Sequence, residues 1–176
     1  MANIVVVGAG LAGLPAAYEL RHLLPKEHTV TLIASEPNFT FIPGLVQVAL
    51  NLKPLSRVQL NLARLAKRHH LNWTPGKVVK LDPKTRRLTI LREVASGEGI
   101  AGEPGTDTEI EYDYLAIATG ASLALDLVPG LGPHGGYTHS ICTPDHALTA
   151  RQAWVDFLEN PGPIVIGAVP GAGCFG

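Results

Sequence analysis

The feature that most restricts the fold is the segment NIVVVGAGLAG near the N-terminus. A β-branched run ends at Gly8-x-Gly10-x-x-Gly13, and apolar residues at helical spacing follow over 11–24. Such glycines let backbone N–H groups approach a pyrophosphate, which then lies at the N-terminus of the next helix. A second β-branched run, 28–34, completes a βαβ unit of about 30 residues. The pattern predicts an α/β fold with a dinucleotide site; the alternative is a tight strand–helix turn without a ligand.

A dinucleotide site also needs a group for the ribose hydroxyls at the end of the second strand. The spacing from Gly13 puts this group near positions 34 and 35, but the first acidic residue is Glu36. Either Glu36 or the Ser35 hydroxyl is therefore the candidate. For Glu36, a solvated loop carboxylate is the alternative.

The remaining pattern predicts a small antiparallel element beside a Rossmann-like parallel sheet. The predicted elements are an amphipathic helix over 58–70, a hairpin of two short strands over 72–91, a glycine-rich polar loop over 96–109, a strand over 110–120, a helix over 143–160 capped by Thr143, and a strand over 162–167.

The strand and glycine turn at 162–176 repeat the pattern seen at the N-terminus. We therefore expect two domains, a Rossmann-like FAD-binding domain over 1–125 and the first strand of a second, truncated nucleotide-binding-like domain over 126–176. On this interpretation the chain is the N-terminal part of a longer flavoprotein.

Composition excludes several classes of protein. The net charge is −1 over 176 residues, which does not favour nucleic acid as a partner. The first residues lack the basic stretch of a secretory signal, and no apolar run reaches the roughly 18 residues of a membrane span. Two cysteines make a disulfide-stapled fold unfavourable. We expect these residues to be soluble, with any membrane attachment supplied by other parts of the protein.

The segment YDYLAIATG, 112–120, is similar to the second fingerprint of flavoproteins that have two dinucleotide domains. Thr119 and Gly120 would then lie beside a flavin. An ordinary buried strand is the alternative, but together with the first glycine motif the segment favours FAD over NAD at the first site.

Two cysteines stand in settings that favour a thiolate. Cys142 comes just before a predicted helix N-terminus, and Cys174 lies in a glycine turn. His146 is one helical turn after Cys142 and is a candidate partner for its thiolate; a capping or exposed histidine is the alternative. Both cysteines also fit the alternative of inert small side chains. A zinc site of Cys142, His146 and Cys174 lacks a fourth ligand, so the sequence predicts no metal.

The last glycine turn is unsuited to a nicotinamide nucleotide. The second glycine of the motif would fall at Val169, whose side chain blocks close approach of a pyrophosphate. The turn instead combines Gly171 and Gly173 with Cys174, which indicates a thiol site.

Taken in order, GAGLAGLPAAYEL, FIP, YDYLAIATG, SICTPDHA and GPIVIGAVPGAGCFG resemble the sulfide:quinone oxidoreductases. The two cysteine motifs discriminate, because the glycine motifs occur throughout the wider superfamily of disulfide-oxidoreductase-like flavoproteins. The resemblance covers the whole chain, although members of the family are more than twice as long.

The resemblance implies a role for each matching position. The FAD pyrophosphate would be held by Gly8, Ala9, Gly10, Leu11, Ala12 and Gly13, the adenosine by Ser35, Glu36 and the backbone of Val78, and the flavin by Pro43, Thr119 and Gly120. Cys174 would be a redox cysteine that forms a persulfide or polysulfide with a second cysteine from outside these residues. Cys142 would lie near the flavin. Gly173 replaces a serine found in many relatives, a change of little expected consequence.

The resemblance also implies the reaction and its partners. Sulfide would be oxidised at Cys174, and its electrons would pass through FAD to a quinone at a membrane surface, which C-terminal segments would reach. The whole protein would be a peripheral membrane enzyme, compatible with a homo-oligomer. Two alternatives remain: a type II NADH:quinone dehydrogenase, and an FAD-binding module that has no turnover as these 176 residues alone.

Overall fold

The computed structural model describes residues 1–91 and 107–168. In chain order its elements are β1 (Asn3–Val7), α1 (Gly13–Leu23), β2 (Thr29–Ala34), β3 (Asn38–Thr40), α2 (Leu45–Ala49), β4 (Gln59–Asn61), α3 (Leu62–Arg68), β5 (Asn72–Pro75), β6 (Lys77–Asp82), β7 (Arg87–Leu91), β8 (Asp107–Glu111), β9 (Tyr114–Ile117) and α4 (Pro144–Glu159).

A parallel sheet with the strand order β5-β2-β1-β9 forms the centre of the fold. β1 lies between β2 and β9, with Val7 opposite both Ile33 and Ile117. Because parallel strands are covered on both faces, they are rich in β-branched residues, as NIVVV is. The predicted α/β class with a parallel sheet and a small antiparallel element is confirmed.

Alternation along β1 divides the core between the two faces of this sheet. Ile4 and Val6 pack with residues of α1 and α3, including Leu14 and Leu62. On the opposite face, Val5 and Val7 pack with Ile33 of β2 and with Leu88 and Ile90 of β7. The parallel sheet is therefore enclosed by helices on one face and by an antiparallel sheet on the other.

The antiparallel sheet contains the predicted hairpin and has the strand order β6-β7-β8. Asp82 closes the hairpin turn, where its Oδ1 accepts the backbone N–H groups of Lys84 (2.9 Å) and Thr85 (3.3 Å). The prediction for 72–91 differs in one respect. Residues 72–75 form β5, which pairs in parallel with β2 and so belongs to the central sheet.

The strand expected over 110–120 is divided between two sheets. Residues up to Glu111 pair with β7, and Tyr114 begins β9 beside β1. At the junction, the Asp113 carboxylate accepts the backbone N–H of Asn3 at 2.7 Å, and the Asp113 N–H donates to the Asn3 carbonyl oxygen at 2.8 Å. β8 and β9 are separate strands because they pair with different neighbours, β7 and β1.

The helix expected over 58–70 is shorter than its apolar periodicity suggests. Residues 59–61 form β4, which pairs with β3, and α3 begins only at Leu62. Asn61 caps the helix, its side-chain oxygen accepting the Arg64 N–H at 3.0 Å. Because residues 59–61 pair with β3 as a strand, they do not form the first turn of the helix that was predicted there.

α4 begins where predicted and packs against α2. Thr143 is its N-cap, and the Thr143 Oγ1 accepts the His146 N–H at 3.2 Å. Ala147 lies in a buried cluster with Leu45 and Val48 of α2. The chain before α4, 126–140, is irregular as predicted, apart from a short 3-10 turn, Leu125–Leu127, at its start. The proposed boundary between residues 125 and 126 stays a prediction.

Residues 162–167 are not in a sheet, in contrast to the predicted strand. Ile164, Val165 and Ile166 are exposed. A strand needs a neighbour to pair with its backbone groups, and no strand of the described residues lies beside this segment.

None of the helices in the described ranges has both the length and the apolar character that crossing a membrane requires.

Candidate functional site: the carboxyl edge of the parallel sheet

The two sequence fingerprints meet at the carboxyl edge of the parallel sheet. β1 leads into Gly8 and β9 into Thr119 and Gly120, and these strands are adjacent. The Gly8 N–H donates to the Ile33 carbonyl oxygen at 2.8 Å, which joins the turn to the end of β2. In open α/β sheets, ligands bind outside the carboxyl ends of the strands.

The three glycines of the turn meet different requirements. A Cβ at Gly8 would overlap the carbonyl oxygen of Ala118, and one at Gly13 would overlap the carbonyl oxygen of Gly8. A Cβ at Gly10 would meet no atom within 4 Å. Packing within the described residues therefore explains Gly8 and Gly13 but not Gly10, where the open space fits an external group that approaches the backbone.

The N-terminus of α1 is available to an anion. Its N-cap, Ala12, provides no side-chain hydrogen bond, and the first turn contains no acidic residue. The Leu14 N–H donates to the Gly10 carbonyl oxygen at 3.2 Å and Pro15 has no N–H, so the positive end of the helix dipole, without a nearby carboxylate, is the feature that favours a negatively charged ligand. With the open position at Gly10, this turn fits a pyrophosphate.

The candidate ribose and flavin residues lie at the same edge. Ser35 and Glu36 follow the end of β2 and are exposed, as are Thr119 and Gly120 after β9. Gly120 has φ +76°, which favours glycine, and its Cβ position is open. The structure brings these four residues to the strand ends beside the glycine turn, and their roles toward a cofactor stay predictions.

Two further predicted contacts lie on neighbouring elements. Val78 is in β6, opposite Ile90, and packs against the cluster that includes Val5 and Val7. Pro43 is exposed in a short 3-10 turn, Ile42–Gly44. This turn follows Phe41, whose backbone N–H donates to the Val58 carbonyl oxygen at 2.8 Å. The proposed adenine and flavin contacts of these residues stay predictions.

At the N-terminus of α4, the two predicted residues differ in environment. Cys142 lies one position before the N-cap of α4, just before a helix N-terminus as predicted, and it is a free, exposed cysteine. His146 is 8% exposed, and no hydrogen bond joins it to Cys142 among the described residues. Instead its ring lies 5.4 Å from that of His134, centroid to centroid. The second predicted redox cysteine, Cys174, and the turn with Val169 lie outside the described residues.

Sequence reasoning did not select His134 or Asp145. The His134 Nε2 and the Asp145 Oδ2 are 2.7 Å apart, and both residues are close to His146. His134 lies 11 positions before Asp145, in an irregular segment outside α4, so no single helix or strand places the two side chains together. Only the folding of the 126–140 segment onto the start of α4 reveals the group.

The sheet, the glycine turn and the strand ends define a dinucleotide-binding class of fold. A model of the pyridine nucleotide-disulphide oxidoreductase family matches residues 2–176. The chain belongs to this family.

Three relatives are informative. The chain is 34% identical to sulfide-quinone reductase of Aquifex aeolicus over 174 residues, which covers 99% of this chain and 36% of the relative. The crystal structure of that organism's sulfide:quinone oxidoreductase superposes with a TM-score of 0.79 over the same shares of the two chains. Rhodocoxin reductase of Rhodococcus erythropolis is 31% identical over 94% of this chain and 35% of its own.

A plant protein is more distant: external alternative NAD(P)H-ubiquinone oxidoreductase B3 of Arabidopsis thaliana is 25% identical, over 90% of this chain and 26% of its own. The chain thus spans between 26% and 36% of the length of these curated relatives.

Proposed function

We propose that the carboxyl edge of the parallel sheet binds FAD. The glycine turn 8–13 would hold the pyrophosphate, Ser35 and Glu36 the ribose, and Thr119 with Gly120 the flavin. The open Cβ position at Gly10 and the uncapped start of α1 support this proposal. Bound FAD would supply a two-electron acceptor beside the thiol chemistry of the chain.

We further propose that the whole protein is a sulfide:quinone oxidoreductase. The observation that carries this proposal is the 34% identity to the Aquifex aeolicus enzyme over 174 residues, 99% of the chain. Sulfide and quinone would be the substrates. The enzyme would reach its quinone at a membrane surface, to which segments outside these 176 residues would attach it. A homo-oligomer is compatible with this function.

The thiol chemistry would centre on Cys174. Hydrosulfide would attack the bond between Cys174 and a second cysteine; a new S–S bond forms to the incoming sulfur, and the bond between the cysteines breaks. One cysteine becomes a persulfide and the other leaves as a thiolate. Cys142 would lie near the flavin, and His146, one helical turn further along the chain, would be the candidate partner for its sulfur.

The test uses the full-length protein without oxygen and measures the absorbance of oxidised flavin at about 450 nm. Sulfide should abolish this absorbance, quinone should restore it, and NADH should leave it unchanged. Loss of absorbance with NADH and not with sulfide would show instead a type II NADH:quinone dehydrogenase. That alternative is supported by the likeness to the plant NAD(P)H-ubiquinone oxidoreductase.

The 176 residues by themselves would bind FAD without turnover, because they span only 36% of the length of the Aquifex aeolicus relative. The partner cysteine of Cys174, the quinone pocket and a C-terminal cover over the flavin would lie in the rest of the protein. Sulfide-dependent quinone reduction by residues 1–176 would contradict this expectation.

A further inference from the structure

Three side chains with metal-binding atoms converge at the start of α4. One ring nitrogen from each of His134 and His146 and one carboxylate oxygen of Asp145 all lie within 4.8 Å of one another. His134 comes from the irregular segment 126–140, whereas Asp145 and His146 are in the first turn of the helix. The tertiary fold alone creates this group.

The burial of His146 distinguishes the group from an ordinary surface ion pair. His134 and Asp145 are exposed, and by themselves would form only a solvated hydrogen bond. His146 is 8% exposed, and its Nδ1 is buried without a hydrogen-bond partner in the described part of the chain. Buried polar atoms are nearly always paired, so the His146 side chain lacks a partner that a bound ion beside it would supply.

We propose that His134, Asp145 and His146 bind one divalent transition-metal ion of the Zn²⁺ class, with water in the remaining position. Two imidazoles and a carboxylate form a ligand set that suits Zn²⁺ and Co²⁺. Mg²⁺ and Ca²⁺ prefer oxygen ligands alone and should bind much more weakly. This ligand set shares only His146 with the cysteine-containing set considered in the sequence.

A bound ion would join the 126–140 segment to α4. Only Asp145 and His146 are in regular structure, so His134 would gain the most order from coordination. An ion that binds the folded chain and not the unfolded chain raises stability by mass action. The proposal shares His146 with the proposed thiol chemistry, but it does not rest on sulfide oxidation, since neither a substrate nor a flavin takes part in it.

The experiment uses the full-length protein after treatment with a chelator. Isothermal titration with Zn²⁺ and the visible absorption of Co²⁺ measure stoichiometry and coordination, and thermal unfolding is followed with and without Zn²⁺. The test variants are His134→Ala and Asp145→Asn. The matched control is His139→Ala, because His139 is an exposed histidine of the same segment outside the group.

We expect the wild type to bind one Zn²⁺ ion per chain. The affinity for Zn²⁺ should fall at least about tenfold in both test variants and stay unchanged in the control. Zn²⁺ should raise the unfolding temperature of the wild type and of His139→Ala only. The proposal is overturned if the wild type binds no stoichiometric ion, if both test variants bind as the wild type does, or if Mg²⁺ binds as tightly as Zn²⁺. These readouts do not use activity, so they remain decisive whichever enzyme the whole protein is.

Discussion

Gly8 and Ala118 meet backbone to backbone at the ends of β1 and β9. The Ala118 N–H donates to the Val7 carbonyl oxygen at 2.7 Å, and a Cβ at position 8 would overlap the Ala118 carbonyl oxygen. Gly8 also has φ +102°, which disfavours any other residue. The first glycine of the turn is therefore required by the contact between the two fingerprints, whether or not a ligand binds.

Gly8→Ala should destabilise the fold, and Gly10→Ala should not. At position 8 the new methyl group meets backbone in a strained conformation, so we expect a loss of about 2–5 kcal/mol in the free energy of unfolding. At position 10 the methyl group enters open space. Urea unfolding of the flavin-free full-length protein measures the difference.

The same pair of variants tests the cofactor site. If the space at Gly10 is occupied by a pyrophosphate, Gly10→Ala should weaken FAD binding in fluorescence titration while leaving the unfolding free energy within about 1 kcal/mol. FAD affinity equal to that of the wild type would show that position 10 does not contact the cofactor.

Thr143→Ala should destabilise α4 through loss of its N-cap. The Thr143 hydroxyl oxygen is the acceptor for the His146 N–H, and removal of such an acceptor costs about 1 kcal/mol. Thr143→Ser keeps the oxygen and should unfold at the same urea concentration as the wild type. Equal destabilisation by both substitutions would attribute the effect to the lost methyl group instead.

The hairpin turn should lose stability in acid as Asp82 is protonated. Hydrogen bonds from Thr85 and Lys84 to the carboxylate lower the pKa of Asp82. Because the folded pKa is the lower one, the stabilisation is complete above the unfolded pKa of about 3.9 and is lost as the pH falls through the folded pKa. An NMR titration of the carboxyl carbon should give a midpoint below that value. A midpoint at or above it would contradict the assignment.

Cys174→Ala in the full-length protein should abolish sulfide-dependent quinone reduction, because persulfide formation needs the thiol. Gly173→Ser changes the neighbouring residue and should retain most of the activity, which makes it the matched control. Flavin content, measured by absorbance, should be unchanged in both variants. Full activity of Cys174→Ala would place the sulfide chemistry elsewhere.

Elements with their own local signals were predicted well. β1, α1 and β2 follow from a β-branched run, a glycine turn and helical spacing, and α4 follows from Thr143 and Pro144 at its start. The hairpin turn at Asp82 was predicted equally well from the residues of the turn itself. These signals involve neighbours in the sequence, so no distant contact is needed to recognise them.

Elements defined by a partner were predicted less well. The division at Asp113 depends on pairing with β7 on one side and with β1 on the other. The start of α3 depends on the pairing of β4 with β3, and the separation of β5 from the hairpin depends on β2. In each case the backbone hydrogen bonds go to residues that are distant in the sequence.

The sequence alone determined that this chain forms a dinucleotide-type α/β unit, since the glycine spacing and the β-branched runs are local properties. Only the tertiary structure decided that the turn at Gly8 abuts Ala118, and that His134, Asp145 and His146 form one group. The physical reason is that sheet register and loop packing are set by contacts between distant residues, which no sequence period records.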